Sequence, residues 1–171
     1  MLFRSVRFAT DAVRMKGPKE AAAAHARFMA QVVEPAIHER SLMLLEQHRR
    51  QGDELVIVTA TNAFVTAPIA RALGVDQLIA VELERGADGW ITGEIKGVPS
   101  SREGKVERVA QWLGDRGLDW RAVESTFYSD SINDLPLLEK VDHPVATNPD
   151  ASLRAIAAER GWRILDLFDK K

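Results

Sequence analysis

The sequence predicts an α/β fold in which a doubly wound parallel sheet carries helices between its strands. Short apolar runs alternate with helix-forming stretches from residue 54 onward. The run 55–58 is continuously apolar, which is typical of a strand buried on both faces of a parallel sheet. An acidic cluster, 130–134, directly follows the apolar approach 126–128. Ligands bind beyond the carboxyl ends of parallel strands, so this cluster is expected to project into a crevice.

Composition excludes several classes of function. The chain has 171 residues, which suits one domain with a real core, and its 23 basic and 25 acidic residues give a net charge of −2. Since no block of like charge occurs, we expect no nucleic-acid partner and no attraction to a membrane surface. The absence of cysteine removes disulfides, thiolate metal sites and a cysteine nucleophile. No run has the length of a signal-peptide core or a membrane span, so we expect a soluble, cytoplasmic protein.

The amino-terminal part of the chain is predicted to be helical. Residues 1–16 have no clear period and are assigned only as irregular or frayed helix. Helix formers follow over 19–33, and a second helix is predicted over 36–51, opened by Pro35 and ended by Gly52.

The remainder alternates strands with helices. The predicted strands are 55–58, 78–81, 126–128, 144–147 and 162–167, and the predicted helices are 64–73, 102–116, one after the acidic cluster, and 151–160. A turn at 86–89 joins 81–84 to 90–94, which predicts a small antiparallel hairpin at the edge of the sheet.

The acidic cluster has two interpretations. Asp130, Asn133 and Asp134 supply two carboxylates and an amide, hard oxygen ligands of the kind that Mg²⁺ takes while keeping water or substrate phosphate at its other positions. Alternatively, Asp130 or Ser131 caps a helix and Asp134 is favoured by the helix dipole. Taken alone, the cluster leaves both interpretations open.

Two further segments offer groups that suit a phosphate. Thr59 offers a hydroxyl and, with Ala60 and Thr61, backbone N–H groups at a strand-to-helix turn, although Thr59 also suits a helix N-cap. Lys105 lies in the first turn of a predicted helix, where the dipole disfavours a cation, so it is either aimed at an anion or a solvated surface lysine. Positioning and charge stabilisation are most of what phosphoryl transfer requires.

In order and spacing, these segments resemble the motifs of the haloacid dehalogenase (HAD) superfamily of phosphohydrolases, subfamily IB, the branch that includes phosphoserine phosphatases. Residues 55–61 resemble its second motif, Lys105 within 104–106 resembles the third, and 128–136 resemble the fourth, with Ser129 where glycine is common. The resemblance implies a HAD-like Rossmannoid core and a Mg²⁺-dependent phosphatase. Its substrate would be a small phosphorylated metabolite such as phosphoserine or histidinol phosphate.

The resemblance also implies a role for individual residues. Thr59 and Lys105 would be catalytic, the first bonding the transferring phosphoryl group and the second stabilising its charge. Asp130 and Asp134 would bind Mg²⁺. The substrate phosphate would be bound by Thr59, Ala60, Lys105 and Asn133. Residues 53–171 would form the core, and 1–52 an incomplete helical cap that selects substrates and gates turnover.

One motif of that family has no match. Its first motif is an apolar strand followed by Asp-x-Asp-x-Thr, which supplies the nucleophile and the general acid/base. Asp11 follows no apolar run and has Val13 at the second aspartate's place, so it is a poor candidate. We therefore expect a chain that begins inside the cap, lacks a central strand and has no aspartyl-phosphate-dependent activity. The exposed strand edges would pair either with another chain, which would give self-association, or with residues 1–12.

Other classes of function share part of this residue pattern. A non-catalytic phosphate- or Mg²⁺-binding module would keep the same groups without turnover. A response-regulator-like receiver would need its phosphoacceptor aspartate in a different order along the chain, and no G-x-G-x-x-G marks a dinucleotide-binding enzyme. The scattered histidines are interpreted as structural or solvated: His25, His38, His48 and His143.

Overall fold

The computed structural model of this protein describes residues 14–168. The predictions made for 1–13, including those for Asp11, lie outside the described residues. The strands are β1 (Val56–Asn62), β2 (Gln77–Arg85), β3 (Ile91–Lys96), β4 (Thr126–Ser129), β5 (His143–Thr147) and β6 (Arg163–Leu165).

The described strands form two three-stranded sheets instead of one. The first has the order β1-β2-β3, with β1 parallel to β2 and β3 antiparallel to β2, which confirms the predicted edge hairpin. The second has the order β4-β5-β6 and is entirely parallel. The α/β class with parallel strands is thus confirmed, but the continuous sheet is divided between β1 and β4.

Six helices complete the described part of the chain. They are α1 (Gly17–Phe28, continued by a π-helical turn Met29–Val33 and Glu34–Ala36), α2 (Glu39–Gln51), α3 (Ala63–Ala72), α4 (Glu103–Gly114), α5 (Leu135–Leu138, after the 3₁₀ turn Ile132–Asp134) and α6 (Ala151–Glu159). None of these helices is long and apolar enough to cross a membrane.

The second predicted helix begins later than expected. Pro35 does not open it but lies in the last helical turn of the preceding segment. Ile37 then takes an extended conformation, and the side chain of His38 accepts from the backbone N–H of Arg40, so α2 begins at Glu39. Gly52 ends the helix with φ +84°, as predicted, because a residue without Cβ adopts that conformation without strain.

Strand β1 differs from its prediction in length and in burial. It continues past Thr59 to Asn62, whose side chain caps α3 by accepting from the backbone N–H of Val65. The interpretation of Thr59 as the helix cap was therefore wrong. The expected burial on both faces was also wrong, because 56–59 are only partly buried. Within 14–168, β1 has a pairing partner on one side only, which leaves the strand at a sheet edge.

The core of the second sheet is fully buried and lies under α5 and α6. Leu138, Ala146, Leu153 and Ala157 have no exposed surface, and Phe127 packs against this cluster. Burying a leucine side chain stabilises a fold by roughly 2 kcal/mol, so this cluster holds α5 and α6 against β5. The acidic cluster directly follows β4.

Candidate active site

The loop before α4 is hydrogen-bonded to the carboxyl half of β1. Ser100 is fully buried, and its hydroxyl donates to the backbone carbonyl of Thr59 at 2.6 Å. The loop is tightly closed at Gly104, where a Cβ would lie 2.1 Å from the carbonyl oxygen of Pro99. Arg102 between them has φ +51°, a conformation that side chains rarely adopt. The loop thus sets the start of α4 against β1.

Lys105 is buried and paired, so its interpretation as a solvated surface lysine was wrong. Its Nζ lies 2.6 Å from one carboxylate oxygen of Asp134. The hydroxyl of Ser129 donates to the other oxygen of the same carboxylate at 2.7 Å. The ring of Phe127 lies 5.8 Å from Nζ. Asp134 therefore supplies the anion that makes a cation acceptable in the first turn of α4.

The turn that carries Asp130 is held by two hydrogen bonds to Asp150, one through its backbone N–H and one through its side-chain carboxylate. Asp150 donates its N–H to the carbonyl of Asp130 at 2.8 Å and accepts from the N–H of Ile132 at 3.0 Å. Ser131 caps the 3₁₀ turn by accepting from the N–H of Asn133, so its capping role is confirmed. The side chain of Asp130 is exposed, which keeps its carboxylate open to a ligand.

The groups predicted around Thr59 are arranged differently from the expectation. The hydroxyl of Thr59 accepts from the N–H of Thr61 at 3.1 Å, and Ala60 is exposed. Ser100 joins Thr59 to the start of α4, while Lys105 joins α4 to Asp134. The ends of β1 and β4 therefore meet the same helix terminus.

A second bridge joins the two sheets farther from the acidic cluster. The Nε2 atom of His48 lies 2.7 Å from the Tyr128 hydroxyl, and its Nδ1 atom lies 2.6 Å from a carboxylate oxygen of Asp53. Burial raises the pKa of the Tyr128 hydroxyl, an effect that Arg163 opposes and Asp53 reinforces. His48 is thus structural, as predicted.

A large cleft lies away from these groups. A cavity of about 1060 Å³ separates α1 and α3 from the hairpin and is lined by residues that include His25, Phe64 and Trp90. His25 fixes α1 to α3 through a 2.9 Å contact with the carbonyl of Val65. None of Thr59, Lys105, Asp130 and Asp134 lines this cavity.

Comparison with known proteins identifies the family. Residues 4–139 match the haloacid dehalogenase-like hydrolase family. The chain belongs to this family. A histidinol-phosphatase of Neisseria meningitidis is 44% identical over 149 residues, which are 86% of this chain and 67% of that protein. A phosphoserine phosphatase of Mycobacterium tuberculosis is 36% identical over 136 residues, 80% of this chain and 43% of that protein. The chain thus spans between two fifths and two thirds of these two relatives.

Solved structures share the fold of this chain. A Bordetella pertussis protein of unknown function superimposes with a TM-score of 0.94 at 48% identity, covering 98% of this HAD-like chain and 75% of its own. A substrate-bound phosphoserine phosphatase gives a TM-score of 0.55 at 18% identity, covering 72% and 56%. At that identity the second likeness supports the fold alone.

The acidic cluster of this HAD-like hydrolase offers the right kind of ligand for Mg²⁺. Asp130 presents an exposed carboxylate and Asn133 an exposed amide, and hard oxygens are what Mg²⁺ binds, using one or two carboxylates. Both oxygens of Asp134 already face Lys105 and Ser129, so its assignment as a second metal ligand stays a prediction. No group of three metal-binding side chains occurs within the described residues.

Sequence reasoning missed three residues that position the site. Ser100 was given no role and Gly104 only its place beside Lys105 in the third motif, although Ser100 binds the carbonyl of Thr59 and Gly104 packs closely against Pro99. Asp150 caps α6 by accepting from the backbone N–H of Leu153. Its bonds to the Asp130 turn depend on how β4 and β5 lie side by side. No sequence signal marked those bonds.

Proposed function

We propose that this chain carries the Mg²⁺ and phosphate site of a cytoplasmic phosphatase acting on a small phosphorylated metabolite. The observation that carries the proposal is the buried contact between Lys105 and Asp134 at the ends of β1 and β4. The carboxylate of Asp134 that binds the buried ammonium also accepts from Ser129, so the cation is held in a fixed position from which it could stabilise a phosphate. The names of the two relatives point to histidinol phosphate and phosphoserine as the first substrates to test.

Each residue of the proposed site would have a separate role. Asp130 would hold Mg²⁺, which supplies charge neutralisation for the phosphate. Thr59 would donate its hydroxyl to the phosphoryl oxygens, together with the N–H of Ala60. Lys105 would stabilise the transferring charge, held in place by Asp134, while Asn133 would bind the substrate phosphate. Helices α1 and α2 would form part of a cap that admits the substrate.

The proposed reaction needs a nucleophile that the motifs of this chain do not supply. The sequence contains no Asp-x-Asp pair, and phosphatases that pass through an aspartyl-phosphate need one carboxylate as nucleophile and one as general acid/base. We infer that this chain by itself does not turn over phosphomonoesters. The same gap in the sequence supports a second candidate, a non-catalytic module that binds phosphate and Mg²⁺.

The test is phosphate release from p-nitrophenyl phosphate, histidinol phosphate and phosphoserine, with and without Mg²⁺. It compares this chain with a version extended by an apolar strand and Asp-x-Asp-x-Thr. We expect turnover by the extended version alone, and its loss on Asp130→Asn. The matched control is Asp76→Asn, an exposed aspartate just before β2 and therefore at the opposite ends of the strands.

Two other results of this assay would contradict the proposed function. An extended version that binds phosphate and Mg²⁺ without turnover would favour the non-catalytic module. Activity of this chain without the extension would contradict the inference that it lacks a nucleophile. Asp11 would then be the first residue to mutate.

A further inference from the structure

The loop between β5 and α6 is hydrogen-bonded to other segments at both of its ends. Asp150, at the end of the loop, makes two hydrogen bonds to the turn that carries Asp130. Asn148, at its start, binds the last described residues of the chain. We propose that Asn148 is a positioning residue, which places the Asp130 turn by holding this loop against the segment 165–168. The effect on a metal ion rests on the proposed function, whereas the placement of the turn rests on the fold.

The side chain of Asn148 is buried, and its acceptor and its donor are both used. Its Oδ1 atom accepts from the N–H of Leu167 at 2.8 Å, and its Nδ2 atom donates to the carbonyl of Phe168 at 2.5 Å. Its backbone N–H donates to the carbonyl of Leu165 at 2.9 Å. Because moving this residue would leave buried polar groups unpaired, the three bonds fix the start of the loop.

The backbone passes a shift at Asn148 directly to Asp150. Asn148 has φ +43°, in the left-handed region, which asparagine accepts better than most residues with a side chain. The chain turns there from β5 toward Asp150, the N-cap of α6. Only Pro149 lies between them, and its ring fixes its own φ, so the connection has little freedom to absorb a movement.

Asp150 carries the position of the loop to the acidic turn. Its N–H donates to the carbonyl of Asp130 at 2.8 Å, and its carboxylate accepts from the N–H of Ile132 at 3.0 Å. The turn is thus held on both sides of Ser131. Since the side chain of Asp130 is exposed and little held by packing, the place of its carboxylate depends on the backbone that carries it.

The segment 165–168 is itself held by the start of α2. The Nη1 atom of Arg40, in the first turn of that helix, donates to the carbonyl of Leu167 at 3.2 Å. The ring of His38, the N-cap of α2, lies 5.3 Å from the ring of Phe168. These contacts make the segment a fixed anchor for the loop and not a free chain end.

The bonds of Asn148 differ from those that simply join two strands. The ladder between β5 and β6 already pairs 145–147 with 163–165. Both side-chain bonds of Asn148 reach residues beyond the end of β6. They lie at the carboxyl ends of the parallel strands, the same end of the sheet as Asp130. The side chain is therefore placed to hold the loop and not the ladder.

The experiment compares the full chain with two variants of Asn148. Asn148→Gly removes both side-chain bonds and accepts the left-handed backbone without strain. Asn148→Asp keeps an acceptor for the N–H of Leu167 and loses the donor alone. The matched control is Ser125→Ala, because the Ser125 hydroxyl bonds Asp142 at the opposite ends of β4 and β5.

Two measurements separate placement of the turn from metal binding. Native-state hydrogen exchange followed by NMR reads the amides of Ile132 and Asp150, which bond across the loop, relative to the amides of β5 in the same sheet. Electron paramagnetic resonance reads the binding of Mn²⁺, the probe used for the metal site. Asp130→Asn supplies the reference for a chain without the exposed carboxylate.

We expect Asn148→Gly to speed exchange at Ile132 and Asp150 by about tenfold or more relative to β5, because the loop loses its anchor. The same change should weaken Mn²⁺ binding by about tenfold, as the loss of a group that orients a metal ligand does. Asn148→Asp should have a smaller effect on both, since one of the two bonds remains. Ser125→Ala should leave both within about twofold of the parent.

Every other result counts against one of the two proposals. Unchanged relative exchange at the turn in Asn148→Gly would overturn the positioning role, and so would an equal change in Ser125→Ala. If Asn148→Gly fails to fold, Asn148→Asp decides by the same criteria. Faster exchange with unchanged Mn²⁺ affinity would overturn the effect on the metal. A parent chain that binds Mn²⁺ no better than Asp130→Asn would overturn the proposed metal site, while the exchange rates would still decide whether Asn148 places the turn.

Discussion

Lys105 and Asp134 form an ion pair in which both side chains are nearly buried, with 7% and 13% of their surfaces exposed. We expect Lys105→Met to lower the free energy of unfolding by about 3 kcal/mol, because it leaves the Asp134 carboxylate buried without its cation. Urea unfolding measures this. The control is Arg50→Met, which removes an exposed pair with Glu46 and should cost less than about 0.5 kcal/mol. If Lys105→Met and Arg50→Met lowered the free energy of unfolding equally, the pair of Lys105 and Asp134 would be as accessible to water as a surface pair.

Tyr128 is the one tyrosine of the sequence, which makes its titration visible in ultraviolet absorbance. Burial raises its pKa above the ordinary value of about 10. A raised pKa stabilises the folded state fully below the unfolded value, and this contribution is lost as the pH rises through the folded value. Urea unfolding between about pH 8 and 11 should therefore show stability falling more steeply in the parent than in Tyr128→Phe. Identical slopes would contradict the raised pKa.

At the scale of elements, the start of α4 depends on the close approach of Gly104 to Pro99. Gly104→Ala would place a Cβ 2.1 Å from a backbone oxygen, so we expect a loss of about 2 kcal/mol or more in the free energy of unfolding. The matched control is Gly114→Ala in the same helix, where a Cβ meets nothing within 4 Å. That change should leave stability equal or raise it by up to about 1 kcal/mol. Thermal unfolding distinguishes the two variants.

The elements show what a sequence can predict and what it cannot. Strands, helices and the hairpin follow from local periodicity, and Gly52 ends α2 as expected because its backbone requirement is local. The burial of Lys105 was not predictable, because it depends on Asp134, which lies 29 positions later and approaches α4 only in the folded chain. Ser100 was missed for the same reason, since its acceptor lies on β1.

For the whole molecule, the α/β class was predictable, but the division into two sheets is a matter of long-range pairing. Continuous apolar strands such as 55–58 predict a central position in a parallel sheet, with strands on both sides and helices over both faces. Here β1 has one neighbour within the described residues and remains partly exposed. The sequence motifs therefore predicted which residues lie at the site, whereas the contacts between those residues can be described only from the folded structure.

The division of the described strands into two sheets should also be visible in the hydrogen exchange of backbone amides. Strands β2 and β5 each have two neighbours, whereas β1 and β4 each have one among the described residues. Amides that face no partner strand exchange through local opening and not through global unfolding. We expect the slowest amides in β2 and β5, and alternate amides of β1 and β4 that exchange at least about tenfold faster. Protection of β1 and β4 equal to that of β2 and β5 would mean that both edges are already paired in the isolated chain. Native-state exchange followed by NMR reads each strand separately, and exposed helix ends such as that of α2 provide the fast reference within the same sample.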